Sequence, residues 1–389
     1  MLKSVYGWLV LLTGAITLLT SCSGNDESGA LSGTGDETTT FSETDLPHWV
    51  VEPLTLIDES ENYMPGQVHG LQVMPNGHIV VMDRSPISIH QFDESGNWLR
   101  QISREGSGPG ELETWNQLQH APNGIAVGRM DGTVMLYEPG DDNLIRFSRD
   151  FNIQTEDRNT GFLRMLEPGR LLYQTTNVVQ ITDNRDPDEL FPEFRYGTTF
   201  FMSEDGEVLQ DSVYTTVQHG PLMIMSNGGT SIQIRNLPWR FSTAQAFTND
   251  GSIIIGDPES AIVITLNSNG EEINRSLFRI EERMVTREEL NKALEDIPRE
   301  EHRRAESRIK PHKPAFTRIL ADDSNRLWFQ TSRTDDGFTY VVTDMNANPI
   351  GRVELPQYHH LAAVRNGNLY IRYTPADDLH EVRIAELNF

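Results

Sequence analysis

From Leu46 onward the chain repeats one phrase: an apolar run, a turn rich in Pro, Asn, Asp or Gly, and a second apolar run. Six copies are present, clearest as Leu71-Gln-Val-Met-Pro75-Asn76-Gly77-His-Ile79-Val80-Val81 and Phe247-Thr-Asn249-Asp250-Gly251-Ser-Ile253-Ile254-Ile255. The others turn at Asn123-Gly124, Pro168-Gly169, Asp323-Ser-Asn325 and Asn366-Gly367. Short apolar runs bounded by turn residues predict strands, and Gly or Asn at the turn is expected to supply the positive φ of a tight hairpin. A second turn follows several copies, at Phe92-Asp-Glu-Ser-Gly96, Met202-Ser-Glu-Asp-Gly206, Leu266-Asn-Ser-Asn-Gly270 and Asp344-Met-Asn-Ala-Asn348. Two hairpins per copy predict a four-stranded antiparallel sheet. Such a sheet cannot cover both apolar faces alone, whereas six arranged radially bury each face against a neighbour. The expected fold is all-β, a six-bladed β-propeller over residues 46–389.

Two gaps between turn residues are long, from Gly169 to Gly251 and from Gly251 to Asn325. The second contains Val285 to Ile309, rich in Glu, Arg, Leu and Ala and opened by Thr286-x-x-Glu289, which reads as a capping box. This predicts a helical insertion over about 285–310, with Leu290, Ala293 and Leu294 facing inward. The first gap reads as strand extensions and long loops, with a seventh blade near Leu222 to Ile234 as the competing reading. The extended apolar stretch Trp49 to Ile57 is expected to complete the last blade, removing both open edges of the ring; packing across one face is the alternative.

The first 45 residues read differently. Met1 to Ser21 carries one charge, Lys3, and an apolar stretch from Val5 to Leu19, which is short for a span and reads as an export signal. Leu19-Thr20-Ser21-Cys22 resembles the bacterial lipobox, implying cleavage before Cys22 and lipidation of its thiol. Residues 22–45 then form a flexible tether of Gly, Ser, Thr and acids, reaching about 25 Å by random-coil scaling. Ser23 after the cysteine resembles the outer-membrane sorting pattern. The expected location is the cell envelope, with the membrane as a partner through the anchor.

Charge narrows the partners further. The chain has 57 Asp plus Glu against 32 Lys plus Arg, a net charge of -25, which opposes a phosphate backbone over most of the surface and excludes nucleic acid. Cys22 is the only cysteine, so the mature domain has no disulfide, thiolate metal site or cysteine nucleophile.

Several phrases carry a family resemblance. Arg104-Glu-Gly106-Ser-Gly108-Pro109-Gly110-Glu111-Leu112 resembles the GxGPGEF/L connector, and Asp322-Asp323-Ser-Asn325-Arg326-Leu327-Trp328 resembles the DxxGRLWV phrase, of bacterial six-bladed propellers of the NHL-like, TolB-like group. Pro238-Trp239-Arg-Phe241 and Lys310-Pro311-His-Lys-Pro314-Ala-Phe316 fit the same pattern, and the likeness runs over roughly residues 47 to 389. It implies an exported propeller, with lipoproteins common in the group, and it fixes no activity.

In a propeller the first strand of each blade lines the central channel, so the residues before the turn glycines are the candidate ligand-binding groups: His69, His120, Arg164, Gln245, Arg318 and the pair His359-His360. The expected function is a ligand- or protein-binding or scaffolding module, its partner a protein or carbohydrate of the envelope. The competing reading is a metal-dependent hydrolase or lyase, similar to gluconolactonase or NHL-type lyase propellers, with Ca²⁺ or Zn²⁺ near His69, His120 and His360. No cofactor is expected, since no HExxH, GxSxG, Walker or GxGxxG phrase occurs. Gly106 to Gly110 lacks the Lys-Ser/Thr ending of a phosphate loop and reads as an interblade connector. Asp83 and Asp257, equivalent in blades one and four, read as caps of the turns that follow them. Asp183, Asp186 and Asp188 read as a solvated acidic loop. The arginines of the insertion form one basic concentration, read as a solvated helix laced with Glu–Arg pairs, with docking to an acidic partner or membrane as the alternative.

Overall fold

Five copies of the repeated phrase fold as four-stranded antiparallel sheets whose strands pair in sequence order, and the sixth gives three such strands joined by one from the start of the chain. The computed structural model describes residues 40–57, 62–113, 117–129, 131–153, 160–176, 192–226, 231–334, 336–375 and 380–388. The signal, Cys22, the tether through residue 39 and the acidic loop at Asp183–Asp188 lie outside the described residues. Blades 1 to 5 occupy residues 68–104, 117–152, 160–219, 244–277 and 318–356, and blade 6 spans 359–388 with a fourth strand from the start of the chain. The protein is a six-bladed β-propeller with a short helical insertion.

Second strands show why a ring forms. Ile79–Asp83, Gly124–Gly128 and Ile253–Gly256 are buried throughout, with no polar face to offer water. Each blade is therefore covered on both sides, and a separate apolar layer fills each of the six interfaces. Between blades 1 and 2, for example, Val80, Met82 and Ile89 meet Leu118, Ile125, Val127 and Tyr137. Truncating one such side chain to Ala typically costs about 2–5 kcal/mol, so the layers are the main source of stability.

Closure of the ring follows the expected clasp. Val50–Ile57 pairs antiparallel with Glu381–Asn388, and Ile57 joins Val68, Leu71, Tyr370 and Val382 in the layer between blades 6 and 1. Contacts with the propeller begin at Phe41, within the stretch that the composition reads as tether. Phe41 seats against Phe278 at 5.4 Å between ring centroids, its N–H donates to the Arg279 carbonyl, and Glu43 pairs with Arg283 at 2.9 Å. Trp49 then lies edge-on to Trp328 and over Gly351, where any Cβ would strike its indole. Phe41, its backbone hydrogen bonds and the Glu43–Arg283 pair together hold this segment against the propeller.

Most turn glycines have the positive φ expected of them, among them Gly77 (85°), Gly169 (81°), Gly251 (84°) and Gly367 (77°), with Asn325 at 57°. Gly124 is a correction. Its φ is not positive; it opens the second strand of blade 2, where a Cβ would run into the Tyr137 carbonyl oxygen. Close approach of backbone, not turn conformation, requires glycine there.

Both long gaps are filled by one satellite layer. Leu222–Ser226 and Ser231–Arg235 form a two-stranded hairpin, so the alternative of a seventh blade there is not realised. The insertion supplies two short helices, α1 (Arg287–Leu294) and α2 (His302–Ser307), with a single 3-10 turn between them. Thr286 accepts from the Glu289 N–H while Glu289 accepts from the Thr286 N–H, the capping box read from the sequence. Leu294, Ile297 and Ala305 are buried against Leu222 and Ile224 of the hairpin and Leu237 just after it, with Leu290 partly buried beside them. Several of the basic side chains turn inward: Arg308 donates to the Pro221 carbonyl at 3.2 Å, Arg304 to that of Met223, and Arg283 to those of Pro314 and Thr331.

The connector Gly106–Leu112 fastens blade 1 to blade 2. Glu111 accepts from the Gly108 N–H at 2.9 Å and from Arg104, Leu112 is fully buried in the interblade layer, and the Tyr137 hydroxyl donates to the Gly110 carbonyl at 3.0 Å. Asp257 caps the next turn as expected, through the Glu259 N–H and the Ser260 hydroxyl. Asp83 does not. It is buried and accepts from Gly66, ahead of it in the chain, beside Tyr63. Burial there raises its pKa above the usual carboxylate range.

Candidate functional site

Inner strands of all six blades surround a cavity of about 250 Å³ on the ring axis. These strands are Val68–Val73, Gln117–Ala121, Thr160–Glu167, Ala244–Phe247, Arg318–Ala321 and His359–Arg365. Its wall is drawn mainly from their C-terminal ends and from the turns that follow, because an inner strand turns outward only after reaching that mouth. His120, Arg164, Gln245 and Arg318 line it together. Arg365, Asp323, Gln72, Gln119 and Asn249 line it as well, though the sequence reading does not single them out.

The local geometry sets the electrostatics. Arg164 points a guanidinium nitrogen at His120 Nδ1, 3.2 Å away, and its guanidinium carbon lies 5.0 Å from the centroid of the Phe247 ring. Burial, with the neighbouring Arg164 and Arg365, holds the His120 pKa down at about 3, so the imidazole is neutral and can accept from the arginine. Burial likewise lowers Arg164 to about 10, leaving it charged at neutral pH. Arg318 donates to the Leu361 carbonyl at 2.6 Å, tying blade 5 to blade 6 at the axis. Gln245 accepts from the Tyr214 hydroxyl at 3.3 Å. Asp323 accepts from the Asn366 N–H at 2.9 Å through one oxygen.

His69 and His360 are not in this cavity. Both stand near the starts of their inner strands, at the opposite mouth, on either side of Arg372. Arg372 donates to the His69 carbonyl at 2.7 Å and is the register partner of His360. Burial first, and then this arginine among other cations, lowers the pKa of both imidazoles. His360 packs against the Phe338 ring, and its neighbour His359 binds Arg383 at 2.7 Å. The three histidines of the metal-site reading are thus divided between two mouths. Among the described residues no three His, Cys, Asp or Glu side chains are grouped so as to hold a metal ion.

A family model agrees with this architecture over part of the chain. Residues 59–178 match the family DUF5128, 6-bladed beta-propeller. Similar solved structures include a Bacteroides fragilis protein described as exported, with 12% identity, covering 90% of this chain and 98% of its own, at a TM-score of 0.47. A DUF4221 member from Bacteroides vulgatus has 14% identity, 88% and 97% coverage, and a TM-score of 0.49. Regucalcin from Agrobacterium tumefaciens, a calcium-binding protein, has 12% identity, 88% and 96% coverage, and a TM-score of 0.41. No curated protein matches the chain. None of these likenesses assigns an activity.

Proposed function

We propose that this is a lipid-anchored protein of the cell envelope, held to the membrane through Cys22, whose propeller is a binding module for an envelope ligand seated on its axis. One observation carries the reading. The inner strands of six blades contribute to a single polar cavity, and the polar groups gathered there are three arginines, amides, one neutral imidazole and one carboxylate, Asp323. Among the described residues no Ser, Thr, Cys, Lys or Tyr lines it, and an imidazole with a pKa near 3 is a poor proton acceptor at neutral pH. Convergent donors of this kind recognise a ligand. The anchor is supported by Leu19-Thr20-Ser21-Cys22 at the end of an apolar leader and by the Gly/Ser/Thr-rich stretch behind it.

The test uses the full lipidated chain in detergent. Labelled palmitate should enter the wild type and not Cys22→Ser. The thermal melt should be the same with and without EDTA, and a lactone and ester panel should show no turnover. A large EDTA-induced fall reversed by Ca²⁺ or Zn²⁺, with turnover lost in His120→Ala, would replace the binding reading with the metal-dependent hydrolase.

A further inference from the structure

Four arginines stand along the axis of an acidic protein without a carboxylate partner among the described residues. Arg164, Arg318 and Arg365 line the cavity, and Arg372 lies at the other mouth. The contacts they make are to neutral groups: an imidazole and a phenyl face for Arg164, and backbone carbonyls for Arg318 and Arg372. Arg365 has a buried Nε with no hydrogen-bond partner. One carboxylate, Asp323, lines the cavity with these three guanidinium groups, and its Oδ1 is also buried without a partner. A guanidinium withdrawn from water and left without an anion is costly, and a bound oxyanion restores the missing bidentate hydrogen bonds. Shortage of acid cannot explain the arrangement, because acidic residues outnumber basic ones 57 to 32.

We propose that the axial cavity binds a small polyanion, a molecule with two or three carboxylate or phosphate groups, held by Arg164, Arg318 and Arg365. This rests on the binding-module reading and narrows it to a ligand class. Volume limits the ligand: about 250 Å³ is less than the roughly 300–1,000 Å³ of drug-sized sites. The amides of Gln72, Gln119 and Gln245 are left to take its uncharged oxygens.

Isothermal titration calorimetry of the EDTA-treated, full lipidated chain in detergent tests this, with citrate and inorganic pyrophosphate as probes, sodium chloride at matched ionic strength, and glucose as the neutral probe. At least one polyanion should bind with one-to-one stoichiometry, and added salt should weaken it. Binding of citrate alone assigns carboxylates; binding of pyrophosphate alone assigns phosphates. Arg164→Gln, Arg318→Gln and Arg365→Gln should each weaken binding by about tenfold or more, the loss of roughly one charge-assisted contact. Gln119→Glu, which supplies an internal carboxylate to the same cavity, should weaken it similarly without lowering the melting temperature, so the result does not depend on a damaged fold. Silence of both polyanions at millimolar concentration, or unchanged affinity in all folded variants, overturns the proposal. Glucose binding lost in Gln119→Glu, with both polyanions silent, would overturn the anion class and leave the module standing; metal-dependent turnover would remove the module itself.

Discussion

On the outer strands and hairpins an arginine stands beside a carboxylate, as Arg146 does with Asp142 at 2.6 Å, Arg275 with Glu272 at 2.7 Å and Arg149 with Glu204 at 2.5 Å. Along the axis Arg164, Arg318, Arg365 and Arg372 have no such partner among the described residues. The difference separates two uses of one side chain. Outside, the pairs are solvated and contribute little, their role being to offset charge on a crowded acidic surface. At the axis Arg164 is largely withdrawn from water, and it lines the cavity together with Arg318 and Arg365. Net charge therefore misleads when applied to every part of the molecule: -25 describes the exterior and gives the wrong sign for the channel.

Asp322 and Asp323 make the same contrast between adjacent residues. Asp323 borders the cavity, while the Asp322 side chain is fully buried and accepts from the Ser324 and Arg326 N–H groups, from Arg326 Nε at 2.6 Å and from Trp328 Nε1 at 2.9 Å. Asp322→Ala would take from Arg326 its buried carboxylate and from the Trp328 indole N–H its acceptor inside the blade. The expected loss is about 3–5 kcal/mol, the cost of breaking a buried pair, read by urea denaturation. A loss below about 1 kcal/mol would mean that pairing matters no more in the blades than at the axis, and the comparison would fail.

How far this was readable in the sequence depends on how local each signal is. Hairpin turns declare themselves within five residues, so the six repeats and most positive-φ glycines were visible. Gly124 was misread because Asn123-Gly124 is written like a hairpin turn, while its real constraint is the carbonyl of Tyr137, a residue on the next strand. The satellite layer was invisible for a stronger reason: Leu222 and Ile224 meet Leu294, Ile297 and Ala305 across a whole intervening blade, and no local pattern couples segments so far apart. At the site, residues close before a turn (His120, Arg164 and Gln245) line the cavity. His69 precedes its turn by more, and at about 3.3 Å per strand residue it lies toward the opposite mouth. Applied uniformly, that rule would have found Arg365, which immediately precedes Asn366-Gly367.

Acid offers a second test of the channel. The His120 pKa of about 3 lies below the ordinary value of 6.5, so between these limits the unfolded chain takes up a proton that the folded channel, with Arg164 and Arg365 beside the ring, refuses. Stability from this group is complete above about pH 6.5 and declines as pH falls toward 3, by up to about 1.4 kcal/mol per pH unit. His120→Gln keeps an acceptor for Arg164 and removes the titration, so its urea midpoint should fall less steeply between pH 6 and 4 than that of the wild type. His90, lowered to about 4 by burial, titrates in both proteins and cancels in the difference. Equal slopes would mean that the imidazole is not held neutral against the axial arginines.

The smallest expected effect belongs to the rim, and it is informative because it should be absent. Asp142 makes two hydrogen bonds to Arg146, at 2.7 and 2.6 Å, and these bonds, ahead of any other cause, draw its pKa below the carboxylate range. Both side chains are nevertheless about half exposed, so water and salt compete for each of them. Arg146→Gln should leave the urea midpoint and the affinity for either polyanion unchanged within error, at low and at high salt. A midpoint that drops would show that solvated pairs help hold the blades together. An affinity that rises would show that the rim's charges reach the axis, and the polyanion would then be responding to the protein's overall field in addition to the three arginines around it.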